Sequence, residues 1–219
     1  MPPVVSIVGK SKSGKTTLIE NLIEELKSRG YRVATVKHAP EGMTFDVPDK
    51  DNWRHIQAGS EATAISSSDK IVLIKPIDQD ATLDEVAGLF GDDCDIILTE
   101  GFKEGNAPKI EVHRKGSGPL FGKLRKRIVV VTDEPLDIGI RQFSSQDIKG
   151  VADFLEKGFI KPQRERTSLY INNTPVPLNI FAKSIITAII LAMVSSLKGV
   201  GEVKSLKLLV RMKPGWNRE

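Results

Sequence analysis

One short stretch near the start, VVSIVGKSKSGKTTL, limits the possible folds more than any other part of the chain. Its residues Val4–Val8 predict a buried β-branched strand, and leucines recur at helical spacing over 18–26. Between them, Gly9–Thr16 matches the pattern G-x-x-x-x-G-K-[ST]. Glycines allow the turn that aims backbone N–H groups at phosphate oxygens, and the helix adds its positive end. We predict a nucleoside triphosphate site here, with Lys15 at the β- and γ-phosphates and the Thr16 hydroxyl on Mg²⁺.

Strand-like and helix-like patterns continue to alternate as far as residue 160. Because a strand–helix–strand crossover nearly always joins parallel strands, the pattern predicts an α/β fold. We expect a three-layer, P-loop NTPase-like, mostly parallel sheet. Helix caps are expected at Asp51 or Asn52 and at Ser144 or Ser145. The predicted strands are 4–8, 32–38, 61–67, 70–76, 94–101, 108–114 and 127–135, and the predicted helices are 15–29, 51–60, 82–90 and 144–159.

The last third of the chain has a different composition. A charged segment, residues 161–167, separates the domain 1–160 from a small α+β piece at 168–219, predicted as β-α-β. That piece carries seven Lys or Arg and two Asp or Glu, so it is basic. Its apolar stretch Ile180–Leu197 contains Lys183 and is short for a membrane span, so we predict a buried helix. A unit this small is expected to dock on the first domain or on a second copy of the chain.

Three carboxylates are candidates for the same site, because ligands collect at the carboxyl ends of parallel strands. Glu100 ends the strand 94–101, beside Gly101, where it could hold Mg²⁺ or the attacking water, or cap locally. Asp46 lies in the loop after the second strand and could hold Mg²⁺ or stay solvated. Asp133 lies near the end of the predicted strand 127–135 and could accept hydrogen bonds from guanine N1 and N2, or cap a turn.

Other chemistries find little support in the 219 residues. A single cysteine, Cys94, excludes an internal disulfide and fits a reducing compartment. The three histidines are spread along the chain without zinc-ligand spacing, and only His38 is expected near the site. The first ten residues lack a basic start and a long apolar stretch, so we expect no signal peptide. The net charge is only +4, and we expect neither nucleic acid nor a membrane as a partner.

Four stretches together resemble the molybdopterin-guanine dinucleotide biosynthesis protein B (MobB) family. These are GKSKSGKTT, VATVKH, FDVPDKDNWRHIQAGS and ILTEGFKEGNAPKIEVHR, the last being the most distinctive. The similarity runs from Val4 to Phe159, and the segment from residue 168 lies outside it.

The resemblance implies a cytoplasmic, dimeric protein that binds Mg²⁺ and GTP and hydrolyses GTP weakly. It would assist a MobA-type companion enzyme, which joins GMP to molybdopterin, and it could bind molybdopterin or its guanine dinucleotide. Catalysis would involve Lys15, Glu100 and Asp46, and the metal site Thr16, Asp46 and Glu100. The nucleotide site would comprise Gly9, Lys10, Ser11, Lys12, Ser13, Gly14, Lys15, Thr16, Thr17 and Gly101, and we add Asp133 from its place at the end of a predicted strand. A motif surface for cofactor or partner would comprise Lys37, His38, Lys50, Asp51, Phe102, Lys103, Lys109 and Arg114.

The chain also departs from the family pattern. The often histidine-rich loop after His38 reads Ala39-Pro40-Glu41-Gly42, so any role of those histidines is open. Two further functions stay possible on sequence alone: a P-loop small-molecule kinase, with the basic segment Gly122–Arg127 as a lid, and a metal-centre maturation GTPase. The latter class usually carries His or Cys clusters, which this chain lacks. For the basic segment 168–219, binding of a pterin phosphate or of a partner is a hypothesis.

Overall fold

A computed structural model describes residues 2–39, 49–91, 93–118, 120–163, 167, 169–171, 174–203, 206 and 208–210. The chain divides into two compact units, Met1–Arg164 and Glu165–Glu219. The strands are β1 (Val4–Gly9), β2 (Val33–Lys37), β3 (Thr63–Ser66), β4 (Ile71–Ile74), β5 (Ile96–Glu100), β6 (Lys109–His113), β7 (Arg127–Thr132), β8 (Gln142–Ser144), β9 (Leu169–Ile171) and β10 (Thr174–Val176). The α-helices are α1 (Lys15–Ser28), α2 (Asp51–Gln57), α3 (Leu83–Gly88), α4 (Ile148–Leu155) and α5 (Ile180–Ser195).

A six-stranded sheet in the order β2-β5-β1-β6-β7-β8 forms the centre of the first unit. Each neighbouring pair in this sheet is parallel. The strands β1, β5 and β7 are buried over most of their length, as expected for strands that are covered on both faces. β1 lies between β5 and β6, so the loop at its end is flanked by the carboxyl ends of both neighbours.

Two apolar clusters cover the two faces of this sheet. On one face, Leu18, Leu22 and Leu26 of α1 pack with Val5 and other strand residues and with α4. Each leucine that is fully buried there contributes ~1.5–3 kcal/mol. On the other face, Ala87 of α3 packs with residues of β2 and β5. The predicted three-layer, mostly parallel α/β fold is therefore confirmed.

Several local predictions were wrong. The strand β8 was not predicted, and it includes Ser144, which we had expected as a helix cap. The cap of α4 is Asp147, whose Oδ1 accepts a hydrogen bond from the Gly150 amide at 3.0 Å. The residue at the N-cap of α2 is Lys50, with no side-chain hydrogen bond, so neither Asp51 nor Asn52 fills that position. A π-helical turn, Glu156–Ile160, continues α4.

The second unit consists of the antiparallel pair β9–β10 followed by α5. Asn179 caps α5, since its Oδ1 accepts a hydrogen bond from the Ala182 amide at 2.8 Å. The predicted final strand is not observed in the described residues of that stretch. These are Leu206 and Leu208–Val210, and they belong to no strand.

The prediction that α5 is buried was also wrong. None of its residues is buried, and Phe181 is 73% exposed. A pair of three-residue strands offers too little surface to cover a helix that is apolar on all sides. Among the helices in the described ranges, none has the length and apolar character needed to cross a membrane.

Candidate functional site

The loop between β1 and α1 forms a tight cradle. Gly14 stands at the N-cap of α1 with φ 96° and ψ 15°, a left-handed conformation that suits glycine. At Gly9, an added Cβ would lie 2.5 Å from the Val112 carbonyl oxygen and 2.6 Å from Ser13 Oγ. The Ser13 amide donates to the Lys10 carbonyl at 3.3 Å, which closes the turn. The first amides of α1 therefore face a compact concave loop, the geometry that binds anions.

Ser13 is buried within this loop, and its Oγ has no hydrogen-bond partner among the described residues. A buried hydroxyl without a partner is rare, because its desolvation costs about 1–3 kcal/mol. A phosphate oxygen bound in the loop would supply the missing acceptor, so this hydroxyl fits an anion site.

The two functional side chains of the loop face different partners. Lys15 folds back over the loop, and its Nζ donates to the Lys10 carbonyl at 2.8 Å. Thr16 points to the end of β5, where its hydroxyl lies 3.2 Å from Glu100 Oε2 and 3.3 Å from Oε1. Parallel pairing of Ile7 with Glu100 sets this approach. The structure thus brings together Lys15, Thr16 and Glu100, three residues that the sequence predicted for one site.

Backbone contacts hold Glu100 and its neighbours in place. The Gly101 amide donates to the Ile7 carbonyl at 3.2 Å, and the His38 amide donates to the Glu100 carbonyl at 3.0 Å. Gly101 has φ 105°, and a Cβ there would lie 3.1 Å from the Cβ of His38. A glycine is therefore required where the chain leaves β5, directly beside the carboxylate.

The other flank of β1 carries the loop that follows β6. Asp133, just after β7, accepts a hydrogen bond from the Lys115 amide at 2.8 Å. Lys10 of the cradle extends its Nζ against Gly118, 2.7 Å from where a Cβ would stand. His113 Nε2 lies 3.1 Å from Glu134 Oε1. Asp133 therefore does fix a turn, one of the two roles expected for it, and it lies on the β7 side of the cradle.

Comparison with known proteins agrees with this geometry. A sequence model of the family described as molybdopterin guanine dinucleotide synthesis protein B (MobB) matches residues 4–133. The chain belongs to the MobB family. A Haemophilus influenzae relative named molybdopterin-guanine dinucleotide biosynthesis adapter protein is 35% identical, over 70% of this chain and 88% of its own. A relative from Methanocaldococcus jannaschii is 26% identical and aligns with 94% of this chain and 96% of its own length.

A solved structure also matches. The crystal structure of a MobB protein homolog from Bacillus stearothermophilus has 26% identity and a TM-score of 0.55, covering 73% of this chain and 99% of that one. Family membership places the chain in molybdopterin guanine dinucleotide biosynthesis.

The MobB motif residue Lys109 is not on a surface, contrary to expectation. It is completely buried at the start of β6. Its Nζ donates to the carbonyls of Gly105 at 2.5 Å and Ala107 at 3.0 Å. Burial, and then the charge of Lys126, lower the pKa of Lys109. Lys109 therefore stabilises the β5–β6 crossover, residues 101–108, through these two hydrogen bonds. Because its side chain is buried, it is not available to a cofactor or partner.

The other MobB motif residues are distributed unevenly. Lys37 and His38 are exposed at the end of β2, and the Phe102 ring packs at a tilt of 35° against His38, with ring centroids 4.7 Å apart. Lys103 places its Nζ 4.5 Å from the centre of the Phe121 ring. The exposed residues of the set away from this cluster are Lys50 and Asp51 at the start of α2, Arg114 after β6, and Ser11, Lys12 and Thr17 in or after the cradle.

Asp46 lies outside the described residues, and no metal-ligand cluster of three His, Cys, Asp or Glu occurs within them.

A cavity of about 930 Å³ extends from Gly101, the residue after Glu100, to Pro2 and Val4 at the start of β1, and the sequence did not reveal it. It lies between the crossover 101–107 and the segment 80–84 that leads into α3. One available signal was overlooked: Thr82 and Glu85 form a capping box that fixes this segment. The wall of the cavity includes His38 and Phe102.

Proposed function

We propose that this MobB family member is a nucleotide-binding adapter in molybdenum cofactor biosynthesis, with slow Mg²⁺-dependent GTPase activity. It would assist a MobA-type companion enzyme that transfers GMP to molybdopterin. The observation that carries this proposal is the contact between the Thr16 hydroxyl and the Glu100 carboxylate at the head of the phosphate cradle. A hydroxyl from the loop and an acid from the neighbouring strand form the metal end of many triphosphate sites.

Each part of the nucleotide has a place in this proposal. The amides of Gly9–Thr17 and the Lys15 ammonium would hold the phosphates, and Thr16, Glu100 and Asp46 would hold Mg²⁺ or its waters. When bound, the metal would supply positive charge that offsets the negative charge developing on the phosphate oxygens. Glu100 would accept a hydrogen bond from the attacking water, which orients it toward phosphorus. Asp133 would recognise guanine, since an ionised carboxylate keeps acceptor capacity beyond its bond to Lys115.

The kinase alternative has less support. Its cationic lid would be Gly122–Arg127, but Arg127 Nη1 lies 2.6 Å from the buried Glu111 carboxylate and 3.1 Å from the Phe121 carbonyl. Arg127 therefore fastens the loop to β6 and is occupied. A lid needs cations that can swing over the phosphates, and the Arg127 guanidinium is held in place by these contacts.

A homodimer is part of the proposal. The hairpin β3–β4 exposes Ile71 (74% exposed), Leu73 (51%) and Ile65 (45%). Apolar strands exposed in this way mark interaction surfaces, and a two-stranded hairpin alone is marginally stable. The single buried cysteine, Cys94, agrees with a reducing, cytoplasmic location.

The test is calorimetry with GTP and ATP in the presence of Mg²⁺, on the full chain and on Lys15→Ala. GTP should bind more tightly than ATP, and Lys15→Ala should weaken GTP on the order of a hundredfold, because charge-assisted hydrogen bonds contribute about 1.5–3 kcal/mol each. Phosphate release should then be measured with and without candidate acceptors. Transfer to an acceptor at roughly 1–100 per second would indicate a kinase instead. Failure of GTP to bind would refute the proposal.

A further inference from the structure

The helix α5 has two different sides. On one side, four residues at a spacing of four are half-buried, namely Ala182, Ile186, Ile190 and Val194. The Thr187 hydroxyl, next to this row, is hydrogen-bonded to the Thr167 hydroxyl, so this side faces its own unit. The neighbouring row, which we call the exposed ridge, consists of Phe181, Ile185, Ile189 and Met193, which are 42–73% exposed. A row of large apolar side chains in such positions lacks the cover that apolar helix faces normally have.

A row of small residues lies directly beside the exposed ridge. This small-residue groove consists of Ser184, Ala188 and Ala192, which also follow one another at a spacing of four and are all exposed. Helices pack by inserting rows of this spacing into the grooves of another helix. Because α5 carries both a ridge and a groove on one face, a second copy of α5 offers the matching surface. Each ridge can enter the other groove, as two-fold symmetry requires.

The polar atoms of this face need no polar partner. Ser184 Oγ donates to the Ile180 carbonyl at 2.9 Å, and Ser196 Oγ donates to the Met193 carbonyl at 2.7 Å. Lys183, the only charged residue of α5, lies in neither the ridge nor the groove. A helix that binds a lipid surface carries Lys or Arg along a polar face, and α5 has no such face. An uncharged apolar helix is therefore the better match.

The exposed area decides how strong such a contact is. The ridge exposes roughly 400 Å² in each copy, taking on the order of 150–200 Å² for a large side chain. Pairing two copies would bury roughly 800 Å², less than the ~1,200–2,000 Å² of interfaces that are stable alone. The pairing therefore depends on another contact between the same two chains. The homodimer of the proposed function supplies it, because tethering raises the effective concentration to about the millimolar range.

We propose that α5 pairs with α5 of a second copy inside the homodimer, the exposed ridge of each helix packed in the small-residue groove of the other. The inference rests on the proposed function for the homodimer, and it is independent of the nucleotide. Interdigitating rows of this spacing cross at about −50°. The second unit thereby gains a role, because it adds a contact that slows separation of the two copies.

Cysteine crosslinking of the full chain tests which side of α5 meets the partner. Ala188→Cys places a thiol at the middle of the groove, where the Cα atoms of the two copies come within the ~4.4–6.8 Å that a disulfide spans. With diamide as the oxidant, its chains should link at least tenfold faster than those of Lys183→Cys, an exposed position outside the ridge and groove. The parent, in which Cys94 is buried, gives the background rate. Equal rates for the two variants would overturn the proposal.

Filling the groove tests the packing itself. Ala188→Leu adds apolar surface at an exposed position but blocks entry of the ridge, so the dissociation constant of the dimer should rise at least fivefold. Ala188→Ser keeps the residue small and should stay within about twofold of the parent. Sedimentation equilibrium measures both. An unchanged or tighter dimer in Ala188→Leu would overturn the proposal, since an unspecific apolar patch predicts that result.

Two further measurements separate the possible causes of failure. In the background of Ile71→Asp with Leu73→Asp, crosslinking through Ala188→Cys should slow at least tenfold, and an unchanged rate would overturn pairing inside the hairpin dimer. Binding of the full chain to phosphatidylcholine vesicles, with no crosslink at Ala188→Cys, would show that lipid covers the helix and would also overturn it. GTP affinity should be unchanged in every α5 variant, so loss of the crosslink is distinguishable from failure of the nucleotide site.

Discussion

The hydroxyl of Thr16 donates to the carboxylate of Glu100, 84 positions later in the chain, at 3.2–3.3 Å from its two oxygens. The hydroxyl comes from the first turn of α1 and the acid from the last residue of β5. Parallel pairing of β1 with β5 brings the two elements together. An oxygen pair at the head of a phosphate loop is suited to a hard divalent cation, because such ions prefer oxygen ligands.

Replacing Glu100 with Gln should separate turnover from binding. The amide keeps the size of the side chain but removes its negative charge and much of its basicity. We expect Mg²⁺-dependent phosphate release from GTP to fall about 100-fold or more, while nucleotide binding by the Lys15 side of the cradle persists. Phosphate release and GTP calorimetry measure the two properties separately.

Glu24→Gln is the matched control, since Glu24 is an exposed acid on α1. It should leave both properties unchanged. If Glu100→Gln hydrolyses GTP at the parental rate, Glu100 takes no part in turnover.

Gly9→Ala should damage the cradle itself. The new Cβ would meet the backbone carbonyl of Val112 at 2.5 Å, and that carbonyl belongs to the central sheet. Because the obstacle is backbone, the loop has to shift, at a cost of about 1–3 kcal/mol, and GTP binding should weaken with it. Gly88→Ala at the end of α3 is the control. A Cβ at Gly88 meets nothing within 4 Å, so stability should be unchanged or rise by up to about 1 kcal/mol. Urea denaturation of both variants checks the pair, and equal midpoints would contradict the prediction.

The cradle could be predicted from sequence because its information is local. Gly9, Gly14, Lys15 and Thr16 are close in the chain, and the turn dictates where their amides point. Glu100 was predictable for a different reason: in a parallel sheet every strand delivers its last residue to the same edge.

Lys109 shows where such inference stops. A lysine in a family motif suggests a residue that binds a ligand. The Lys109 ammonium instead donates hydrogen bonds to two carbonyls of the β5–β6 crossover, which contains no helix. The partners of a buried group depend on how the loop folds back, which periodicity does not encode. The strand β8 could not be predicted either, because its three residues are too few to show alternation. The exposure of α5 could not be predicted because it depends on what surrounds the helix.

Lys109→Met should destabilise the first unit. Methionine has a similar length but no donors, so the half-buried carbonyls of Gly105 and Ala107 would lose their hydrogen-bond donor. Each such group costs about 1–3 kcal/mol, offset in part because the charged lysine no longer has to be desolvated. We expect a net loss of roughly 1–3 kcal/mol in urea denaturation. Lys123→Met, at an exposed position of the β6–β7 loop, should be neutral. A neutral Lys109→Met would show that the crossover does not depend on this ammonium.

Charges on the hairpin should dissociate the proposed dimer. Ile71 and Leu73 alternate along β4 and therefore share one face of the hairpin, and both are exposed in the single chain. The double variant Ile71→Asp with Leu73→Asp should elute as a monomer, because a carboxylate inside an apolar interface lacks a partner. Light scattering after size exclusion measures the mass. Lys70→Asp, at the exposed turn next to β4, should leave the dimer intact. Equal masses for the parent and the double variant would exclude this hairpin as the interface.

An ionic cluster joins the end of α1 to the turn after α4. Arg29 Nη1 lies 2.6 Å from Asp153 Oδ1 and 2.8 Å from Glu156 Oε2. Glu156 Oε1 in turn receives Lys161 Nζ at 2.9 Å and the Tyr31 hydroxyl at 3.1 Å. Hydrogen bonds from Lys161, then from Arg29, lower the pKa of Glu156 from 4.5 to about 2. The folded state thus favours the charged carboxylate more strongly than the unfolded chain does.

Acid should weaken the protein through Glu156. Because its pKa is depressed by folding, its stabilising contribution is present above pH 4.5 and is lost as the pH falls from 4.5 toward 2. Glu156→Gln cannot lose that contribution, so its free energy of unfolding should fall less steeply over this range than that of the parent. Urea denaturation at pH 7, 4.5 and 3 measures the slopes. Glu20→Gln, an exposed acid on α1, should retain the parental slope. Equal slopes of the free energy of unfolding against pH for Glu156→Gln and the parent would contradict this prediction. They would mean that removing the Glu156 carboxylate does not change the number of protons taken up on unfolding.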